Sequence, residues 1–243
     1  ARISGAPDFP RFSFVHALNI RATVRKLARE LSLGFEEIRC VACHLGGGYS
    51  IAPVLGGRII DSDNRMEGAP FTPERAGGIP PIPLLEACFS GRYTRDQLYR
   101  KLYGAGGVYA YLGTKNIREM VRRAESGDAF AAFIYDAMIY QIVKEIGAMA
   151  SVLDFDLHGI VVTGGVANAG HLSAEIVRKC GRVAPVYLYP GENENEAIAS
   201  SIQRVLRGTE APLFWPACIL SEREIDPLHQ FRDSQGMFSP VTG

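Results

Sequence analysis

Two glycine-rich segments and a few polar side chains are the parts of this sequence that could do chemistry. His44-Leu45-Gly46-Gly47-Gly48 follows one strand-like run and precedes another. Three glycines there would let backbone N–H groups approach an anion closely, as phosphate-cradling loops do. A plain hairpin turn is the alternative use of the same residues. Thr163-Gly164-Gly165-Val166-Ala167-Asn168-Ala169-Gly170 follows a short apolar strand. Glycines at such a point admit a flat ligand or a phosphate against the backbone, or they allow tight helix–strand packing. Neither G-x-G-x-x-G nor G-x-x-x-x-G-K-[ST] occurs. A bound nucleotide would therefore be held by neither a Rossmann nor a Walker loop.

Pro73-Glu74-Arg75-Ala76-Gly77-Gly78 sets an arginine beside glycines in a long loop. A guanidinium there suits a phosphate or carboxylate clamp, although a surface arginine would have the same local sequence. Glu192, Glu194 and Glu196 head the last helical segment. They favour the helix dipole and could also hold Mg²⁺ through oxygen or water. His16, at the entrance to the first helix, could hydrogen-bond a transferring group. Cys40-Val41-Ala42-Cys43 has redox or zinc spacing but sits inside a strand pattern with no second pair nearby. Buried thiols are the expectation. No G-x-S-x-G elbow occurs, so the His44 loop is not read as an esterase oxyanion loop.

The elements that must position these residues follow from periodicity. Ile20, Val24, Leu27, Ala28 and Leu31 mark one face of a helix, with Gly34 expected as its C-cap. Ile38–Cys43, Tyr49–Leu55 and Arg58–Ser62 read as three successive strands, the last two joined by a Gly56-Gly57 hairpin. Residues 64–83 form a long Gly/Pro loop. Thr94-Arg95-Asp96-Gln97 is a capping box opening a helix through Leu102. Gly104–Gly107 breaks the chain, Asn116–Ala124 is a short polar helix, and Asp128–Leu153 is the longest helix. Gly159–Thr163 and Val183–Tyr189 are further strands, and Asn195–Leu206 closes the series. The long helix carries Phe130, Phe133, Ile134, Met138, Ile139, Tyr140 and Val143 on more than one face, which calls for a second surface to bury against.

Composition bounds the function. The 243 residues carry 26 Lys+Arg and 26 Asp+Glu, a net charge of zero. A broadly electrostatic nucleic-acid binder would show a basic excess, so no nucleic-acid partner is expected. The chain is 47% hydrophobic, which argues against general disorder. No apolar run is long enough to span a membrane. Five cysteines fit a reducing cytoplasm better than a disulfide scaffold.

Taken in order, ISGAPDF (3–9), FVHALN (14–19), HLGGGYSI (44–51), GRIIDSDN (57–64), PFTPERAGGIP (70–80), CFSGRYT (88–94), AYLGT (110–114), YDAMIYQIVKEIGAMA (135–150), VVTGGVA (161–167) and YPGENENEA (189–197) resemble the acetate and butyrate kinase family, its butyrate kinase branch most closely. That family lies in the acetate and sugar kinase/Hsp70/actin superfamily. The resemblance implies an α/β fold, a ribonuclease H-like domain of the actin-like ATPase type with a mixed sheet flanked by helices. It implies that residues 1–212 are the second, C-terminal domain with its interdomain segment and that a first domain lies upstream; 213–243, which has no clear periodicity and departs from the family pattern, reads as an irregular tail.

The activity it implies is ATP-dependent phosphorylation of a short-chain carboxylate, butyrate or a branched relative, to an acyl phosphate. His16 and Arg75 match positions that steady the transferring phosphoryl group. His44, Gly46, Gly47 and Gly48 match the second phosphate loop, and Gly164, Gly165 and Val166 match the adenosine pocket. Glu194 matches a position linked to Mg²⁺, with Glu192 and Glu196 as alternatives in a repeating pattern. ATP and Mg²⁺ are the implied cofactors, a homodimer the implied assembly, and the cytoplasm the implied location. A non-catalytic nucleotide-binding or assembly module derived from such a kinase is the competing expectation.

Overall fold

The computed structural model describes residues 3–6, 8–9, 11–62, 68–191 and 194–212. Glu192 and the tail at 213–243 lie outside the described residues. The chain divides into two compact units, Ser13–Glu194 and a second made of Ala1–Phe12 with Asn195–Gly243.

The first unit carries the sheet. Helix α1 (Ala17–Glu30) leads into β1 (Arg39–Leu45), β2 (Tyr49–Leu55) and β3 (Arg58–Ile59). Four helices follow: α2 (Pro81–Phe89), α3 (Arg95–Leu102), α4 (Gly107–Leu112) and α5 (Ile117–Glu125). The 23-residue α6 (Ala129–Ser151) then returns the chain to β4 (Gly159–Gly164). A 3-10 turn (Gly165–Asn168), α7 (Gly170–Cys180) and β5 (Val186–Pro190) complete the order. Helix α8 (Glu194–Leu206) falls almost wholly in the second unit.

The sheet order is β3-β2-β1-β4-β5. The β1–β2–β3 pairings are antiparallel and the β1–β4–β5 pairings parallel, so the sheet is mixed. Gly56 and Gly57, at φ 57° and 70°, turn β2 into β3 with the positive φ values that a tight hairpin requires. Strand β1 is buried from Cys40 to Leu45 because both faces of the sheet are covered. On one face Ile20, Val24, Leu27 and Ala28 of α1 pack against Cys40, Ala42, Ala52, Val54 and Val161. On the other, Met138, Ile142 and Ile146 of α6 and Leu172 and Ile176 of α7 pack against Val41, Cys43, Ile51, Ile160 and Val162. Alternation along β1 thus sends Cys40 to one layer and Cys43 to the other. The two thiols cannot act as a pair, and burial pushes Cys40 up to about 12 and raises Cys43 well above the ordinary thiol value.

Several local expectations are refined. Gly34 is not the C-cap of α1. Ser32 takes the left-handed conformation at φ 55°, and Leu33 N–H closes back on the Ala28 carbonyl at 2.9 Å, the Schellman arrangement. Strand β3 stops at Ile59 rather than Ser62, and β5 starts at Val186 rather than Val183. Helix α2 begins inside the expected loop, with Pro81 in its first turn, where a missing N–H costs nothing. The Thr94–Gln97 capping box forms in full.

Asp128 joins α5 to α6. Its carboxylate caps α6 by accepting Ala131 N–H at 3.0 Å and pairs with Arg123 at 2.7 Å. The backbone N–H of Ala131 first, and Arg123 second, hold its pKa below the ordinary carboxylate value. A lowered native pKa contributes stability that is present above the unfolded value of ~4 and lost as pH falls through the native value. Asp128→Ala is therefore expected to lower the melting temperature at pH 7, with the gap from wild type narrowing in a scan from pH 5 to pH 2.

Candidate functional site

Strand register brings the candidate residues to one edge. His44 stands opposite Ser50 on β2 and beside Thr163 on β4, at the carboxyl ends of the two central parallel strands. Ligands of open α/β sheets bind outside such ends. His16, the residue before α1, sits over this point. Its backbone N–H donates to Ser50 Oγ at 3.2 Å, and its ring Nδ1 shares a 2.8 Å hydrogen bond with the same oxygen. The His16 and His44 rings lie 4.3 Å apart, tilted by 41°. His44 is only 2% exposed, so it underlies His16 rather than facing solvent.

The three loop glycines do different things. Gly46 N–H donates to the Gly48 carbonyl at 3.2 Å and closes the turn. Gly47 is exposed, with open space where a Cβ would stand. Gly48 is buried, and a Cβ there would strike Nη1 of Arg75. The guanidinium of the third motif therefore lies directly on the backbone of the first.

The Arg75 turn is braced by main-chain bonds. Thr72 is buried, its N–H donates to the Arg75 carbonyl at 3.0 Å, and its Oγ1 accepts N–H bonds from Glu74 and Arg75. Gly104 and Gly106 donate to the Glu74 carbonyl, and Val108 to that of Thr72. Gly107, at φ 58°, packs so close that a Cβ would run into the Thr72 carbonyl oxygen. The Gly104–Gly107 break thus serves as the wall behind Arg75. Arg75 Nη1 is buried and finds no hydrogen-bond acceptor among the described residues. A buried guanidinium nitrogen without an acceptor is costly unless an anionic ligand supplies one.

Beside this point opens a cleft of about 620 Å³, lined by Gly46, Gly47, Pro73, Glu74, Gly165, Val166, Asn168 and the start of α7. Its far wall is Lys115, Asn116 and the Ile117, Arg118, Val121, Arg122, Glu125 face of α5. A Lys115–Glu74 ion pair of 2.8 Å lies at its rim. The volume is that of a small-molecule pocket. Gly164, at φ 94°, has Leu45 backbone where a Cβ would be, whereas Gly165 has open space. The first glycine is demanded by strand packing, and the second leaves room on the cleft wall.

Gly46, Gly47, Gly165 and Val166 therefore share one cleft, while His16, His44, Gly48 and Arg75 cluster at the strand ends. Glu194 accepts a 2.9 Å hydrogen bond from Asn19 on α1. The α5 wall was missed by sequence reasoning, which saw only a short polar helix. The spacing held the signal: Ile117 with Val121, and Arg118 with Arg122, are i,i+4 pairs on adjacent stripes.

Two glycine substitutions separate the roles. Gly48→Ala displaces only the end of a flexible arginine, so the melting temperature is expected to hold while any anion affinity at Arg75 falls. Gly107→Ala meets backbone at a positive φ, so it should destabilise by at least ~1 kcal/mol. Thermal denaturation of the two variants checks the contrast.

Comparison with known proteins agrees with this geometry. The Acetokinase family profile matches residues 13–203. A probable butyrate kinase 2 from Caldanaerobacter subterraneus subsp. tengcongensis is 47% identical over 212 residues, 87% of this chain and 60% of that protein. Butyrate kinase 2 from Clostridium acetobutylicum is 41% identical over 211 residues, 86% of this chain and 59% of that one. The chain thus spans about 60% of the length of the curated relatives it matches. Among solved structures, acetate kinase from Porphyromonas gingivalis superposes with a TM-score of 0.73 at 21% identity, over 81% of this chain and 56% of that one. Acetate kinase from Entamoeba histolytica gives 0.72 at 16% identity, over 83% and 61%. These likenesses show the fold, the actin-like ATPase type with its mixed sheet between helices. With the profile covering the sheet, both glycine loops and the Arg75 turn, the chain belongs to the acetokinase family.

Proposed function

We propose that this chain is the nucleotide-binding part of an ATP-dependent carboxylate kinase, corresponding over residues 1–212 to the second domain of such an enzyme. The observation that carries the reading is Arg75, whose buried Nη1 lies on Gly48 without an acceptor among the described residues. A terminal phosphate is a ligand of matching charge and geometry for it. Adenosine would occupy the cleft against Ile117, Val121 and Val166, with phosphates toward Gly46 and Gly47. A carboxylate oxygen attacks the γ-phosphorus in line, the bond to the ADP oxygen breaks, and acyl phosphate and ADP result. Butyrate or a branched relative is the proposed acceptor, and the cytoplasm the proposed location. Such a reaction depends on positioning and charge neutralisation. Arg75 and His16 would supply these at the transferring group, with Ser50 and His44 holding the His16 ring.

The residues present fit Mg²⁺ only as part of a metal–nucleotide complex. Among the described residues no cluster of three metal-ligating side chains exists, and Glu194 offers one exposed carboxylate. Mg²⁺ characteristically takes one or two carboxylates together with substrate phosphates and water. Glu194 would hold it, and the ion when bound would neutralise charge on the phosphate oxygens. Among the described residues no helix is long and apolar enough to cross a membrane.

A second reading is a non-catalytic nucleotide-binding or assembly module, which would use the same cleft without the transfer step. Calorimetry and an acyl-phosphate assay on the same preparation separate the two. Heat on adding ATP with Mg²⁺, together with hydroxamate-trapped acyl phosphate, supports the kinase. Heat without product supports the module. No heat at millimolar nucleotide from folded protein removes both. In a kinase carrying both domains, Arg75→Ala is expected to lower kcat by ~10²–10³ with little change in melting temperature.

A homodimer is proposed as the assembly. Helix α6 leaves Phe130, Phe133 and Tyr140 exposed, Phe133 by 68%, while Ile134, Met138 and Ile139 are spent on the core. Light scattering is expected to give about twice the 26.5 kDa chain mass. A monomer at micromolar concentration would withdraw the dimer.

A further inference from the structure

Helix α1 buries two polar side chains, and their accounts differ. Thr23 satisfies its hydroxyl locally by donating to the Asn19 carbonyl at 2.7 Å, as helical threonines commonly do. Asn19 is 4% exposed, and its amide reaches out of the helix altogether. It donates through Nδ2 to Oε1 of Glu194 at 2.9 Å, across 175 residues of sequence. Buried amides need partners, but an apolar residue at this face of α1 would need none. Position 19 is also one helical turn beyond His16. The amino end of α1 therefore carries His16 at the strand ends and a hydrogen bond to Glu194. Of the two described glutamates at the head of α8, Glu194 is the one so held.

We infer that Asn19 is a positioning residue: its amide occupies one oxygen of Glu194 and fixes that carboxylate at the His16 end of α1, so that the second oxygen serves the Mg²⁺–nucleotide complex. This rests on the kinase reading above. An exposed glutamate samples many rotamers, and a ligand that must freeze it binds more weakly. Asn19 removes part of that cost before the ligand arrives. The interaction also distinguishes Glu194 from Glu196, which the repeating Glu-Asn pattern alone leaves equivalent.

The test uses the ratio of ATP affinities measured by calorimetry with Mg²⁺ and with EDTA. Asn19→Leu keeps the heavy-atom number and branching of the side chain but removes the donor. Asn19→Ser, too short to reach the carboxylate, serves where leucine is not tolerated, and melting temperatures are recorded for each. Either variant is expected to lower the Mg²⁺ enhancement about 3- to 10-fold, the scale of one ordinary net hydrogen bond, with EDTA-measured affinity unchanged. Glu194→Gln should also lower the enhancement, and adding an Asn19 substitution to it should lower it no further, because Asn19 acts through Glu194. An unchanged enhancement in the Asn19 variants, or additive losses in the double variant, overturns the assignment while leaving the kinase reading intact. A wild-type protein whose ATP binding shows no Mg²⁺ enhancement overturns the role of Glu194, and the role of Asn19 with it.

Discussion

The parallel pairing of β1 with β4 is the constraint on which the rest depends. It runs from Cys40 beside Gly159 to His44 beside Thr163, so both strands end at one level and both continue into glycine loops on the same side. A parallel pair needs a long crossover, and the chain between β1 and β4 supplies it. That crossover carries the Arg75 turn, the α5 wall and α6. Gly164 follows the last paired residue: its positive φ and contact with the Leu45 backbone leave no room for a side chain. A residue with a Cβ there would separate the two loops that the cleft needs together.

The Arg75 turn is held to this frame by backbone rather than by side-chain packing. Main-chain groups of Thr72, Glu74 and Arg75 meet one another, the Thr72 hydroxyl and the Gly104–Val108 segment. Main-chain bonds in a glycine-walled turn leave little conformational freedom, which suits the proposed role of the guanidinium in meeting an anion at a set place. Its contact with Gly48 joins two motifs that lie 27 residues apart in sequence. The Lys115–Glu74 pair adds a partly exposed electrostatic tie, worth little by itself.

The other face of the sheet is covered by α6 and α7. The 23 residues of α6 pack on the sheet through Met138, Ile142 and Ile146, and Tyr49, directly after the Gly46–Gly48 turn, donates its buried hydroxyl to Met138 Sδ at 3.1 Å. The loop that would hold phosphate is thus anchored beneath by the core helix. Tyr135 of α6 accepts Leu172 N–H at 3.1 Å and so ties α7, which opens at the cleft, to the same helix.

Local chemistry made much of this legible in the sequence. The 3.6-residue period of α1, the glycine pair of the β2–β3 hairpin and the Thr94 capping box all depend on near neighbours in the chain. The glycine loops and Arg75 could be named as candidates for the same reason: their residue types already restrict what they can do. Other features turned on partners far away. The sequence could not show that Gly164 serves packing while Gly165 opens to the cleft, because the difference is the Leu45 backbone. Nor could it show that Gly107 stands behind Arg75, that α5 forms a wall, or that Asn19 meets Glu194. The left-handed residue that ends α1 is Ser32, after the C-cap Leu31, rather than Gly34, where a backbone closure outweighed residue preference. Residue type and spacing determined which elements form and which groups could meet a phosphate. Strand register and close backbone approach, which are properties of the folded chain, decided which of those groups come together.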